Sequence, residues 1–224
     1  MIDEKKFNQI RYSKEYVPKI TDNARIDIYK KLVQSNKRIL DVGCGDGYIG
    51  SILKSQNNYI VGLDGSTKAI KVASTKLDKA IEANLNTEWS LKVNEKFDVV
   101  FCGEIIEHIF DTDTFLENVK KVLNKNGILV LSTPNIASLG RRLMLLAGVS
   151  PNVETTCREK DSGHIRYFTL KTLCKLLEDR GFEIKSVSSD IVNFSKSGRF
   201  ASVTLGRILP SFGSDLIVSA SIKN

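Results

Sequence analysis

The chain has 224 residues, 42% of them hydrophobic, with a net charge of +7, enough to bury one substantial core in a single domain with insertions. No apolar run approaches the roughly 18 residues of a membrane-crossing helix, and the charged start MIDEKKFNQ lacks the pattern of a secretory leader, so a cytoplasmic protein without a membrane span is expected. The cysteines Cys44, Cys102, Cys157 and Cys174 form no Cys-x-x-Cys pair, which excludes a zinc knuckle and a disulfide framework.

Residues 1–36 read as a helical leader. Pro18 breaks its pattern, and Ile26, Ile28, Tyr29, Leu32 and Val33 then recur at helical spacing over Ala24 to Val33. Residues 1–38 carry ten Lys/Arg against five Asp/Glu, but without a long basic block or interleaved aromatics this is a solvated helix face rather than an RNA surface. Tyr12 and Tyr16 of the leader read as core or surface aromatics, with folding over a bound substrate as the alternative.

Arg38 to Val42 is a short strand, and Gly43, Gly45 and Gly47 punctuate the turn after it, where backbone must approach something closely. The helix from Tyr48 to Lys54 would aim its N–H groups at a carboxylate or phosphate. A second strand, Tyr59 to Leu63, ends in Asp64, twenty-one residues after Gly43, where an acid meets ribose hydroxyls. Tyr48 stands where a dinucleotide fingerprint needs its third glycine, so a ribose is implied without a pyrophosphate. Ser66 caps a helix through Lys76, and Ala80 to Leu85 supplies a third strand.

Phe97 to Cys102 is the next strand. After Gly103 come Glu104, Glu107 and His108 at i, i+3 and i+4, one face of a helical turn. A helix over Asp111 to Leu123, with Thr114 and Glu117 as capping box, ends at Asn126-Gly127. Ile128 to Ser132 is a strand that stops at Thr133-Pro134-Asn135. An insertion over 135–168 follows, with Ile136, Leu139, Leu143 and Leu146 along one helix face and Gly148 closing it; its length marks a lid. A helix from Leu170 to Asp179, a strand from Phe182 to Val187, a second insertion over 191–212 and a strand from Leu216 to Ile222 complete the chain. Ligands of such sheets bind beyond the carboxyl ends of parallel strands, where Gly43, Asp64, Glu104 and Thr133 converge.

Ile39 to Gly47 together with Val61 to Ser66 (VGLDGS) resemble the first two motifs of class I S-adenosylmethionine-dependent methyltransferases. The resemblance implies an α/β, doubly wound, mostly parallel seven-stranded sheet with an antiparallel last strand, as one domain over 1–224. S-adenosyl-L-methionine would be the cofactor. Asp64, with Gly65 and Ser66, would hold its ribose; Gly43, Gly45 and Gly47 would admit its methionine part; Asp41 would hold the amino group through water. Asn84 and Leu85 fall at the adenine-reading position, where many relatives carry Asp instead of Asn84, and Glu104 lines the same crevice.

Glu104, Glu107 and His108, with the distant His164, resemble the Glu-x-x-Glu-His arrangement of small-RNA 2′-O-methyltransferases and ubiquinone-pathway O-methyltransferases, where the group holds a divalent cation. The alternatives make His108 a lone general base or merely a hydrogen-bonded helix residue; without an ion, Glu107, His108 and His164 would hold the acceptor hydroxyl and its proton. None of Pro18, Pro134, Pro151 and Pro210 is followed by Cys or preceded by Asn or Asp, so the signatures of cytosine-C5 and base-amine methylation are absent. The expected acceptor is a hydroxyl of a small molecule or glycan rather than nucleic acid. RNA 2′-O-methylation and a non-catalytic, partner-binding module are the competing readings.

Overall fold

A computed structural model describes residues 20–151, 163–194 and 201–223. Tyr12, Tyr16 and Cys157 lie outside them, as do the middle of the first insertion and part of the second. Helix α1 (Ile20–Val33) leads into β1 (Arg38–Val42), α2 (Tyr48–Lys54), β2 (Tyr59–Asp64), α3 (Thr67–Ala73) and β3 (Lys79–Glu82). Then come β4 (Phe97–Gly103), α4 (Thr112–Val122), β5 (Leu123–Pro134), α5 (Leu139–Leu146), α6 (Leu170–Asp179) and β6 (Phe182–Ser189). The chain closes with β7 (Val192–Asn193), β8 (Ala201–Ser202), α7 (Val203–Ile208) and β9 (Asp215–Ile222).

Seven strands form one sheet in the order β3-β2-β1-β4-β5-β9-β6. All are parallel except β9, which runs antiparallel to both β5 and β6. Because successive side chains leave opposite faces of a strand, Leu40 and Val42 enter one apolar layer with Leu116 and Val119 of α4 and Leu173 and Leu177 of α6. Ile39 enters the other, with Tyr29 and Val33 of α1, Leu53 of α2 and Ala73 of α3. Both faces are therefore covered, which explains why the central strands read as continuous apolar runs. Among the described residues, no helix is long and apolar enough to cross a membrane.

Several boundaries differ from expectation, each for a local reason. Asp111 caps α4, its carboxylate accepting from the Asp113 and Thr114 N–H groups, while Glu117 pairs with Lys120. Asn126-Gly127 does not end that helix. Leu123 already pairs with Phe97 in the sheet, and Gly127 lies inside β5, where a Cβ would stand 2.9 Å from Leu123 and 3.0 Å from the Phe97 carbonyl. The third strand stops at Glu82, leaving Asn84 and Leu85 beyond its end. Ser66 does cap α3, accepting from the Ala69 N–H, but the helix ends at Ala73.

Candidate active site

The turn after β1 has φ values of +80°, +53° and +78° at Gly43, Gly45 and Gly47, a region that side chains other than glycine rarely occupy. Gly43 is also needed for space. A Cβ there would stand 2.8 Å from Ile105, so the loop after β1 presses against the loop after β4. Two N–H groups that the sequence offers to a ligand are engaged by the chain's own acids: Gly45 donates to Asp64 at 2.9 Å, and Tyr48 donates to Asp46 at 3.1 Å. Asp64 accepts from the Ser66 N–H as well, at 2.8 Å, so the carboxylate expected to meet ribose also braces the loops after β1 and β2.

Asp41 is buried in β1, and its Oδ2 has no hydrogen-bond partner among the described residues. Burial, then the neighbouring Asp64 charge, pushes its carboxyl up to about 7. That oxygen lies beside Gly50 of α2, 3.0 Å from where a Cβ there would stand, and an orphaned carboxylate oxygen suits a cationic group such as the amino group of S-adenosylmethionine would supply. Asn84 faces its own turn, its side-chain oxygen accepting from the Asn86 N–H at 2.9 Å, and Leu85 is buried.

The chain after β4 does not form the α-helical turn that would align Glu104 with Glu107 and His108. Glu104 takes a left-handed φ of +53°, and Ile106–His108 form a 3₁₀ turn. The Glu104 carboxylate therefore accepts from Ser132 Oγ at 2.7 Å and lies 3.5 Å from Arg25, which also pairs with Asp215 at 3.1 Å. Tyr29 donates to the same Ser132 at 2.7 Å. Burial, then the Asp215 and Glu107 charges, holds the Glu104 carboxyl well above the usual carboxylate range, against the opposing effect of Arg25. Arg25, Tyr29, Ser132 and Asp215 carry no motif, and their grouping follows only from α1 lying across the sheet.

Glu107, His108 and His164 are brought together. Each offers one ligand atom, and these atoms lie within 4.8 Å of one another; Glu104 is not part of the group. Glu107 Oε1 is 3.9 Å from His108 Nε2 and 3.8 Å from His164 Nε2, and the two imidazole rings are 4.9 Å apart. Thr133 Oγ1, at the end of β5, donates to Glu107 Oε2 at 2.9 Å. The segment that delivers His164 is stitched on by backbone: the Ile165 and Arg166 N–H groups donate to the Glu107 carbonyl at 3.0 and 3.1 Å. His108 Nδ1 lies 3.0 Å from the Gly163 carbonyl. A carbonyl only accepts, so in the neutral ring Nδ1 carries the proton and Nε2 presents its lone pair toward Glu107.

A family model described as a methyltransferase domain matches residues 14–187. The chain is 35% identical over 130 residues to the ubiquinone biosynthesis O-methyltransferase of Pelagibacter ubique (strain HTCC1062), covering 57% of this chain and 52% of that one. It is 28% identical over 166 residues to the protein of the same name from Rickettsia canadensis (strain McKiel), covering 73% and 70%. The match thus spans about half the length of the first of these relatives. Among solved structures, an S-adenosylmethionine-dependent methyltransferase from Archaeoglobus fulgidus superposes with a TM-score of 0.65 at 17% identity, over 89% of this chain and 92% of that one, a likeness of fold alone. With its motifs, sheet order and family match in agreement, the chain belongs to the class I S-adenosylmethionine-dependent methyltransferases.

Proposed function

We propose that the chain transfers the methyl group of S-adenosylmethionine to a hydroxyl oxygen of a small molecule or glycan, with Glu107, His108 and His164 as the acceptor-side residues. The observation that carries this is the convergence of those three side chains at the strand ends, Glu107 and His108 on the loop that touches the glycine turn through Ile105 and Gly43, and His164 on the segment bonded to that loop. Sulfonium methyl transfer needs orientation and removal of one proton more than covalent help. In this reading the three residues hold the hydroxyl and its proton, while Asp41, Gly43, Gly45, Gly47, Asp64, Gly65 and Ser66, with Asn84 and Leu85 further along, serve the cofactor. Glu104 acts at the boundary, held by Arg25.

Two imidazoles and one carboxylate form a donor set that suits Zn²⁺, Fe²⁺ or Mn²⁺ better than Mg²⁺, which prefers oxygen. The His108 tautomer imposed by Gly163 is the ligating one. A divalent cation there would supply Lewis acidity that lowers the hydroxyl pKa. Without it, His108 Nε2 takes the proton. The rim next to this group is apolar: Phe110 is 77% exposed, and Ile165 and Tyr167 are exposed beside His164. Such a rim favours an aryl or otherwise apolar acceptor over nucleic acid. The chain is read as one domain in which 135–168 covers the acceptor. The free thiols of Cys44 and Cys102 suit a reducing, cytoplasmic setting.

An acceptor screen with methyl-labelled cofactor, run with and without a chelator, tests the reading. Label should pass to a hydroxyl compound, and calorimetry should show S-adenosylhomocysteine binding. Binding of a nicotinamide dinucleotide with no response to S-adenosylhomocysteine would overturn it. Loss of transfer on chelation, restored by Zn²⁺ or Mn²⁺, would assign the cation.

A further inference from the structure

Within the group of Glu107, His108 and His164, it is His164 that no regular element carries. Residues 163–167 form neither helix nor strand, so the place of this ring depends on how the segment is fastened. Two anchors are backbone. The Ile165 and Arg166 N–H groups converge on one acceptor, the Glu107 carbonyl. Further on, Phe168 bridges to Asn135, and its carbonyl accepts from the Ile136 N–H at 2.9 Å. Two points define a line, and a segment held at two points can still turn about it. Such a turn would swing the His164 ring away from Glu107 while both anchors stayed in place.

The third anchor is a side chain. Arg166 Nε donates to the Ile109 carbonyl at 3.0 Å, and Nη2 donates to the Phe110 carbonyl. Both carbonyls lie in the link between the 3₁₀ turn of Ile106–His108 and α4. That link is itself fixed, because the Phe110 N–H donates to Asn86 Oδ1 at 2.7 Å and Asp111 caps α4. A guanidinium edge that meets two successive carbonyls sets direction as well as distance, which a point donor such as an ammonium does not. His164 stands two residues before this arginine, and His108 one residue before Ile109. One fork therefore ties together the two stretches of chain that present the imidazoles.

We propose that Arg166 is a positioning residue: it touches no reacting atom and holds the His164 ring against Glu107 and His108. The proposal rests on the role given to those three side chains, but its first test does not. The chain has only two histidines, so protein carrying isotope-labelled histidine shows just these two imidazoles. With ring centroids 4.9 Å apart, they should give a nuclear Overhauser contact. Read in chelator-treated protein without cofactor, this contact should be present in the wild type and lost in Arg166→Gln. In methyl transfer, Arg166→Gln should lower kcat about a hundredfold, the scale of a misplaced group. Acceptor KM and S-adenosylhomocysteine affinity should stay within about threefold. Arg166→Lys keeps the charge but not the fork, so it should reach at most about a tenth of the wild-type rate; it also decides the question if Arg166→Gln does not fold. Thr172→Ala, which removes the capping box of α6, should lower the thermal midpoint and leave ring contact and kcat intact. A ring contact or a kcat that survives in Arg166→Gln would overturn the proposal, as would wild-type behaviour in Arg166→Lys or a Thr172→Ala that loses both. If no hydroxyl acceptor is found, the proposed function fails, and the ring contact alone decides what Arg166 does for His164.

Discussion

The two sides of the crevice are built in different ways. On the side proposed to hold the cofactor, Asp41 to Ser66 form one strand-turn-helix-strand unit whose glycines, acids and N–H donors are close in sequence and bond to one another: Gly45 and Ser66 both reach Asp64. On the side proposed to hold the acceptor, His108 Nδ1 bonds to the Gly163 carbonyl, 55 residues away, and Glu107 is held by Thr133 from another strand. A site closed by local turns survives as a motif. A site closed by long-range backbone contacts depends on the whole sheet being in register.

If the sides are as separable as their construction, substitutions should divide them. The largest effect is expected at Glu107. Glu107→Gln, or His164→Ala, should lower turnover about a thousandfold, in the range for loss of an acid–base or positioning group, with S-adenosylhomocysteine affinity unchanged within about threefold. Labelled transfer and calorimetry check this, and an equal fall in cofactor affinity would mean that the sides are one unit.

Asp64→Ala should act in the opposite sense, weakening S-adenosylhomocysteine binding by about a hundredfold, roughly 2.7 kcal/mol. The structure adds a consequence that the motif alone does not contain. Because the Gly45 and Ser66 N–H groups lose their acceptor, the thermal midpoint should also fall, and a midpoint identical to wild type would show that the loops do not need this brace.

Asp41 allows a smaller test by pH. Its folded pKa of about 7 lies above the ordinary value of 3.8, so its contribution is neutral to folding below pH 4, where both states are protonated. It becomes unfavourable as pH rises toward 7 and the unfolded state ionises first. Asp41→Asn should therefore stabilise the ligand-free protein by about 1–2 kcal/mol at pH 8, part of the full linkage because the amide is also buried, and by nothing near pH 4. Thermal melts across this range decide it. Saturating cofactor should abolish the gain, since its amino group would favour the ionised aspartate.

The smallest effect is expected in the insertion proposed to cover the acceptor. Gly148 has φ +70°, with nothing within 4 Å of the point where a Cβ would stand, so Gly148→Ala should cost about 1 kcal/mol through backbone strain alone. A thermal melt would register the loss while turnover stays unchanged. A large fall in turnover would make this turn part of acceptor handling.

Asp41, the three glycines and Asp64 were legible from the sequence because each serves a conformation or charge that a few neighbouring residues impose: positive φ, close approach, a strand end. The sheet followed from the same logic, since alternating strands and helices admit few right-handed, doubly wound arrangements. The adjacency of Glu107 and His108 was legible too, and His164 stood out as the second of only two histidines. Tertiary structure alone decided which acids joined them. The i, i+3, i+4 spacing assumes an α-helical turn, but the left-handed φ at Glu104 and the 3₁₀ turn after it send Glu104 toward Ser132 and Arg25. That choice depends on α1 packing across β5 and on Asp215 of β9 sharing the guanidinium. Partners about 80 and 190 residues apart leave no local spacing to read, because their contact exists only once the sheet has brought the strand ends together.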